Sequence, residues 1–98
     1  MTDAAFTENY NNVKKQWFPG AKMSALTSLF SNSENFFTTN QAKQLIQLVS
    51  DEANRLQLAK ASYRSITDPA NFIQLNDLFT RQASKDALAQ YVNSYRPA

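Results

Sequence analysis

The sequence predicts a single all-α domain, a compact bundle of about six short helices arranged as repeated helix pairs, without a sheet. Apolar residues recur at helical spacing, and no segment shows the sustained apolar and polar alternation of a strand. One glycine and three prolines supply little of the turn chemistry that hairpins need. Ninety-eight residues, 43% of them hydrophobic, suffice for one core but not for two. We therefore expect one domain over residues 1–98.

The first two helices are predicted in the N-terminal third of the chain. Thr2 and Asp3 suit the start of a helix. Its apolar stripe places Trp17 in the core, together with Phe6, Tyr10 and Val13. Residues 18–20 end this helix, and a second helix carries Met23, Leu26 and Phe30. The second helix stops in a loop-like stretch, residues 31–35.

The third and fourth helices form the centre of the predicted bundle. Thr38 and Gln41 have the spacing of a capping box, so we expect a helix over residues 39–49. Ser50 then suits a new cap, with Asp51 and Glu52 in the first turn of a fourth helix. That helix has two small or apolar faces, which predicts burial from two directions.

The fifth and sixth helices complete the bundle. Asp68 is predicted to cap the fifth helix and Pro69 to take its first position. This helix runs to Phe79, with Asn76 on its apolar face, where the amide either binds a neighbouring helix end or marks a small polar pocket. The sixth helix follows residues 80–84 and bears Leu88, Tyr91, Val92 and Tyr95. Residues 96–98 are expected to fray.

An internal repeat of about thirty residues accounts for the helix pairs. The two strongest helix openings, Thr38 and Asp68, lie thirty positions apart. The connectors 18–23, 50–56 and 80–86 each place a Lys or Arg just inside the next helix. The simpler alternative is that any two capped amphipathic helices look similar. We favour the repeat because caps, apolar positions and connectors match at one offset.

Composition removes most catalytic and cofactor chemistry. The chain has no His and no Cys, so the usual general base, thiolate nucleophile and soft metal ligands are missing. Its single glycine leaves no phosphate-binding loop. Most carboxylates stand at predicted helix openings, where capping explains them: Asp3, Asp51, Glu52, Asp68 and Asp86. We therefore expect no catalytic residue, no cofactor and no metal.

The central helix offers one candidate partner surface, a polar stripe of Gln57, Lys60 and Arg64. The stripe suits contact with an acidic partner, and a solvated face is the simpler alternative. A net charge of +2 does not favour nucleic acid. No apolar run is long enough to span a bilayer, and the N-terminus lacks signal-peptide order. We expect no membrane insertion and a soluble chain.

Four stretches are similar to one bacterial family: FTTNQAKQLIQLV (37–49), RLQLAKASY (55–63), TDPANF (67–72), and LF with SKDALAQYV (78–92). Over about residues 13–92 the chain resembles the domain-of-unknown-function 4476 family, seen chiefly in exported Bacteroidetes proteins. The resemblance implies a small helical domain without known catalytic residues. It also implies a periplasmic, outer-membrane-associated or secreted setting, as part of a longer precursor.

These observations predict a non-enzymatic interaction or accessory domain. Its partner is expected to be another protein or a cell-surface polymer. The alternative function is small-ligand or nucleic-acid binding through the basic side of the central helix, at Lys60 and Arg64. A hydrolase would need a Ser/Lys or carboxylate pair converging in a pocket.

Overall fold

The computed structural model describes residues 1–96, which form five α-helices and two 3₁₀ segments. The α-helices are α1 (Asp3–Lys14), α2 (Pro19–Ser31), α3 (Thr39–Ile46), α4 (Glu52–Ser62) and α5 (Gln82–Ser94). A 3₁₀ turn, Tyr63–Ser65, extends α4, and a longer 3₁₀ segment, Pro69–Leu78, precedes α5. Residues 1–96 contain no strand, so the predicted all-α class is confirmed. Pro97 and Ala98, which were expected to fray, lie outside the described residues.

Helix α4 lies at the centre of the fold. It packs against α2, α5 and α3, and the 3₁₀ segment packs mainly on α3. The buried face of α4 contributes Leu58, Ala59 and Ser62 to the interior. One core gathers apolar residues from all five α-helices and the 3₁₀ segment, among them Val13, Leu26, Phe30, Phe37, Leu45, Ile46, Phe72, Leu75 and Leu88. This arrangement confirms the prediction that the central helix is buried from more than one side.

The start of α3 is a capping box, as the sequence predicts. The backbone N–H of Gln41 donates to Thr38 Oγ1 at 3.1 Å, and the N–H of Thr38 donates to Gln41 Oε1 at 3.0 Å. The helix ends at Ile46, three residues earlier than expected, because the N–H groups of Leu48 and Val49 turn back to carbonyl oxygens only three residues away. Val49 nevertheless stays buried beyond the helix end. At α4 the capping side chain is Asp51, which accepts from the N–H of Asn54, so the cap predicted at Ser50 was one residue too early.

The segment from Pro69 to Leu78 is a 3₁₀ helix, so the predicted fifth α-helix is wrong in type. Its buried residues are Phe72, Leu75 and Leu78. They recur every three positions, which is the period of a 3₁₀ helix and not of an α-helix. Phe79 is buried as well, but it lies past the end of the segment.

Asp68 does not cap the segment that follows it, which corrects the second part of that prediction. Its Oδ1 accepts from the backbone N–H of Thr39 at 2.7 Å and from Thr39 Oγ1 at 3.0 Å. Its Oδ2 accepts from the side-chain amide of Asn71 at 3.0 Å. The carboxylate therefore holds the start of α3, because the fold brings that helix start close to the turn before Pro69.

The two halves of the predicted repeat contact each other at nearly equivalent positions. An isolated parallel bridge pairs Phe37 with Ile66. In it the N–H of Phe37 donates to Ser65 O at 2.9 Å, and the N–H of Thr67 donates to Phe37 O at 2.8 Å. Stacked repeat units bring equivalent positions together in this way. The internal repeat itself stays a prediction.

Candidate interaction surfaces

The predicted polar stripe lies on α4 and on the 3₁₀ turn that extends it, and two of its three members already contact neighbouring helices. The Arg64 guanidinium donates to Ser31 O at 2.7 Å and to Phe30 O at 3.4 Å, at the end of α2. Lys60 Nζ lies 5.9 Å from the centre of the Tyr91 ring on α5. Gln57 is exposed, and its side chain makes no hydrogen bond within residues 1–96. Partner binding through this stripe stays a prediction.

Other charged side chains of α4 also hold the ends of neighbouring segments. Arg55 Nε donates to Val49 O at 2.6 Å, and its Nη1 donates to Leu78 O at 3.0 Å. Carbonyl oxygens at helix ends carry partial negative charge, which a guanidinium neutralises. The guanidinium groups of Arg55 and Arg64 thus join neighbouring segments of the fold through hydrogen bonds.

Glu52 also holds the end of a neighbouring helix, but its charge is negative and it binds the start of α5. Its Oε1 accepts from Thr80 N at 2.7 Å and Thr80 Oγ1 at 2.9 Å, and its Oε2 accepts from Arg81 N at 3.2 Å and Ser84 Oγ at 2.8 Å. The bond from the Thr80 N–H is the main cause that lowers the pKa of Glu52 from 4.5 to about 2. The ionised carboxylate therefore fixes the start of α5.

The carboxyl groups with shifted pKa values do not resemble general acids. Hydrogen bonds, first from the Asn71 amide and then from Thr39, lower the pKa of Asp68. The hydrogen bond and charge of Lys43, whose Nζ is 2.9 Å away, lower the pKa of Asp77. A general acid at neutral pH needs the opposite shift. Within residues 1–96 no group of three or more carboxylates could hold a metal ion.

The connector between α1 and α2 carries two exposed aromatic side chains, Trp17 and Phe18, here named the aromatic corner. Trp17 is 91% exposed and Phe18 is 74% exposed. The prediction of a core Trp17 is therefore wrong. Because α1 ends at Lys14, its apolar stripe reaches the core last at Val13 and does not continue to Trp17.

A small recess lies beside the aromatic corner. Its volume is about 90 Å³, and Trp17, Pro19 and Lys22 form one side of it. The opposite side comes from the connector before α4 and the first turn of that helix: Leu48, Val49, Ser50, Asp51 and Asn54. The corner is thus an apolar projection next to a recess with polar groups.

A second surface is the groove between the 3₁₀ segment and α5, here named the α5 groove. It has a volume of about 240 Å³. The 3₁₀ wall is formed by Pro69, Ala70, Phe72, Ile73 and Asn76, and the α5 wall by Leu88, Ala89, Val92 and Asn93. Ile73 is 73% exposed. Neither Asn76 nor Asn93 uses its side-chain amide in a hydrogen bond within residues 1–96, so Asn76 does not bind a helix end. It lines a groove, but the groove is mostly apolar and is not the small polar pocket of the other alternative.

A third recess, between α1 and α2, is rich in amides, three of which already donate to backbone carbonyl oxygens. It has a volume of about 310 Å³. The side-chain amides of Asn9, Gln16 and Asn35 donate to the carbonyl oxygens of Ala5, Asn12 and Leu29 at 3.0, 3.3 and 3.1 Å. Each of these three amides therefore already makes one hydrogen bond to the backbone of α1 or α2.

The family of domains of unknown function DUF4476 has a sequence profile that matches residues 1–92. The chain belongs to this family. The match begins before the predicted position 13 and so includes all of α1 and the aromatic corner. No curated protein and no solved structure matches the chain significantly.

Membership in DUF4476 supports the helical domain but brings no activity with it. The aromatic corner and the α5 groove lie within the matched residues, except for Asn93 of the groove, which directly follows residue 92. Among residues 1–96 of this DUF4476 domain, no helix is both long and apolar enough to cross a bilayer.

Proposed function

We propose that this DUF4476 domain is a non-enzymatic interaction domain and that a partner protein docks on the aromatic corner. The exposure of Trp17 and Phe18 carries the proposal. Tryptophan is enriched among the residues that dominate binding energy at protein interfaces. Two adjacent large apolar side chains in water also form the kind of patch that marks an interaction site.

The corner is suited to binding because the fold does not need these rings. The nearest buried core residues in the sequence are Val13 before the corner and Leu26 after it, so the core does not include the two rings. Covering a large apolar side chain contributes about 1.5–3 kcal/mol. The recess beside Trp17 offers hydrogen-bonding groups on Lys22 and Asn54 that can fix the orientation of a partner.

Small-ligand or nucleic-acid binding through Gln57, Lys60 and Arg64 has weaker support. Arg64 already binds the end of α2, and Lys60 lies over Tyr91. We further propose that the domain works in an exported bacterial protein, as part of a longer precursor. This setting rests on the family resemblance, and it makes a cell-surface polymer the other class of partner.

The test places a photo-crosslinking amino acid at Phe18 and irradiates the domain in an extract of its source organism. A cross-linked protein is identified, purified and titrated with the wild-type chain while the fluorescence of Trp17, the single tryptophan, is recorded. Binding should shift the emission to the blue, since the indole leaves water. Trp17→Ala should weaken binding by at least about thirtyfold, the threshold of a hot spot.

The matched control is Ile73→Ser, which alters an apolar residue about as exposed as Phe18 that belongs neither to the corner nor to its recess. Binding of the purified partner should be unchanged in this variant. If the partner binds the Trp17→Ala variant as well as the wild type, the aromatic corner is not its docking site. If the corner cross-links only to polysaccharide, the partner is a polymer and the protein-docking proposal is wrong.

A further inference from the structure

We infer that the α5 groove binds an extended, uncharged peptide segment of another protein, with Asn76 and Asn93 holding the peptide backbone from opposite walls. This site shares no lining residue with the aromatic corner or its recess. The groove is therefore a second binding site, and a failed test at either site leaves the proposal for the other unaffected.

The shape of the groove follows from the 3₁₀ geometry of its first wall. In a 3₁₀ helix, side chains three positions apart lie in one row. The row Phe72, Leu75 and Leu78 is buried, although Phe72 also lines the groove, and the neighbouring row Ala70, Ile73 and Asn76 faces outward along it. A straight wall with an exposed Ile73 and an amide at one end is the result.

The two amides distinguish an extended peptide from a helical one. An extended chain has unpaired backbone N–H and C=O groups along both edges, whereas a helix satisfies its own. An asparagine amide both donates and accepts, so it can pair with one peptide unit. Asn76 stands on one wall and Asn93 on the other, which suits a chain held at both edges. The amides of the recess between α1 and α2, by contrast, already donate to carbonyl oxygens.

The charge of the groove limits the peptide sequence. None of the nine residues that line it is charged, and seven of them are apolar. A charged peptide side chain would lose hydration in the groove without gaining a partner. The fitting ligand therefore carries small or medium apolar side chains and no charge in the bound stretch.

The experiment uses the full chain and a phage library of random twelve-residue peptides. Phage are first depleted on the Ile73→Asp variant, which should keep its fold because Ile73 is exposed, as a thermal melt will verify. The enriched peptides are synthesised, and their affinities are measured by fluorescence anisotropy. Ile73→Asp should weaken binding by at least about tenfold through lost apolar contact and buried charge. Asn76→Ala and Asn93→Ala should each weaken it by about fivefold.

Two controls identify the binding mode. Phe36→Ser should leave the affinity unchanged, since Phe36 is another exposed apolar residue and does not line the groove. Methylation of single backbone nitrogens in the peptide should reduce binding at particular positions, and part of that loss should disappear in the Asn76→Ala or Asn93→Ala variant. Three results would each overturn the inference: no enriched peptide depends on Ile73, the bound peptide gains helical circular dichroism, or the two asparagine variants bind as tightly as the wild type.

Discussion

Helices α3 and α5 begin in different ways, although each start donates N–H groups to a carboxylate from a distant part of the chain. The start of α3 has its own capping box, Thr38 with Gln41, and Asp68 adds bonds to Thr39. At α5 the N-cap residue Arg81 makes no side-chain cap bond. The start of α5 is held instead by Glu52, which accepts four hydrogen bonds there.

This difference shows how redundancy is distributed in the fold. If Asp68 is lost, the local capping box still satisfies an N–H group at the start of α3. If Glu52 is lost, no side chain of the α5 start replaces it. Helix α5 also forms one wall of the α5 groove, so Glu52 supports that surface as well as the bundle.

The largest effect is therefore expected for Glu52→Ala. The variant leaves the N–H groups of Thr80 and Arg81 and the hydroxyl of Ser84 without their acceptor. The thermal midpoint should fall by several degrees, and by more than in Asp68→Ala. Hydrogen exchange followed by NMR should show the loss of protection first in α5. The matched control is Glu34→Ala in the loop after α2, which should leave the midpoint within error. Equal midpoints for the Glu52 and Glu34 variants would show that α5 does not depend on the distant cap.

Acid should abolish the Glu52 bonds in a predictable range of pH. The folded pKa of about 2 lies below the ordinary value of 4.5, so the ionised group stabilises the fold above pH 4.5. This contribution declines as the pH falls and is lost when the pH passes through the folded pKa. Urea unfolding of the wild type and of Glu52→Gln should differ at neutral pH and converge near pH 2. Asp68 and Asp77 titrate in both proteins and cancel in the difference. A constant difference down to pH 2 would mean that the charge of Glu52 is not what holds α5.

Local caps can be predicted from the sequence and distant caps cannot, and the reason is physical. The capping box of Thr38 and Gln41 is encoded within four residues, so spacing alone predicts it. The sequence also indicates that Glu52 and Asp68 are capping residues, but local spacing pairs each of them with the helix beside it. Their actual partners lie 28 to 32 and 29 positions away. Only the packing of segments against each other determines which helix start such a carboxylate meets.

The surfaces were predicted less well than the fold. Trp17 continues the apolar spacing of α1, and only the end of that helix at Lys14 turns it outward. Phe18, Pro19 and Gly20 directly after it were the signal that the helix was ending. Asn76 was recognised as unusual because an amide lay among apolar positions. Its companion Asn93 carried no such signal, since it becomes part of the groove only through the placement of α5.

The smallest of the three effects is expected at Asp68, and it tests the redundancy of the α3 start most directly. Asp68→Ala should cost on the order of 1 kcal/mol in urea unfolding, within the range of about 0.5–2 kcal/mol for lost caps. Asp68→Asn should cost less, because its amide oxygen can still accept from the N–H and the hydroxyl of Thr39. Hydrogen exchange should report the loss at Thr39, not in the first turn after Pro69.

Thr39→Val supplies the control for this assignment, because it removes the hydroxyl that donates to Asp68 at 3.0 Å while keeping the size of the buried side chain. The losses in Asp68→Ala and Thr39→Val should not add in the double variant, since both remove the same bond. Additive losses would mean that the two side chains act separately. Faster hydrogen exchange confined to residues 69–72 would show that Asp68 caps the segment that follows it. If Asp68→Asn and Asp68→Ala instead lose equal stability, the charge of Asp68 holds Thr39, and a neutral acceptor is not enough. The redundancy argued for the α3 start fails if Asp68→Ala lowers the stability as much as Glu52→Ala does, because the capping box then does not compensate.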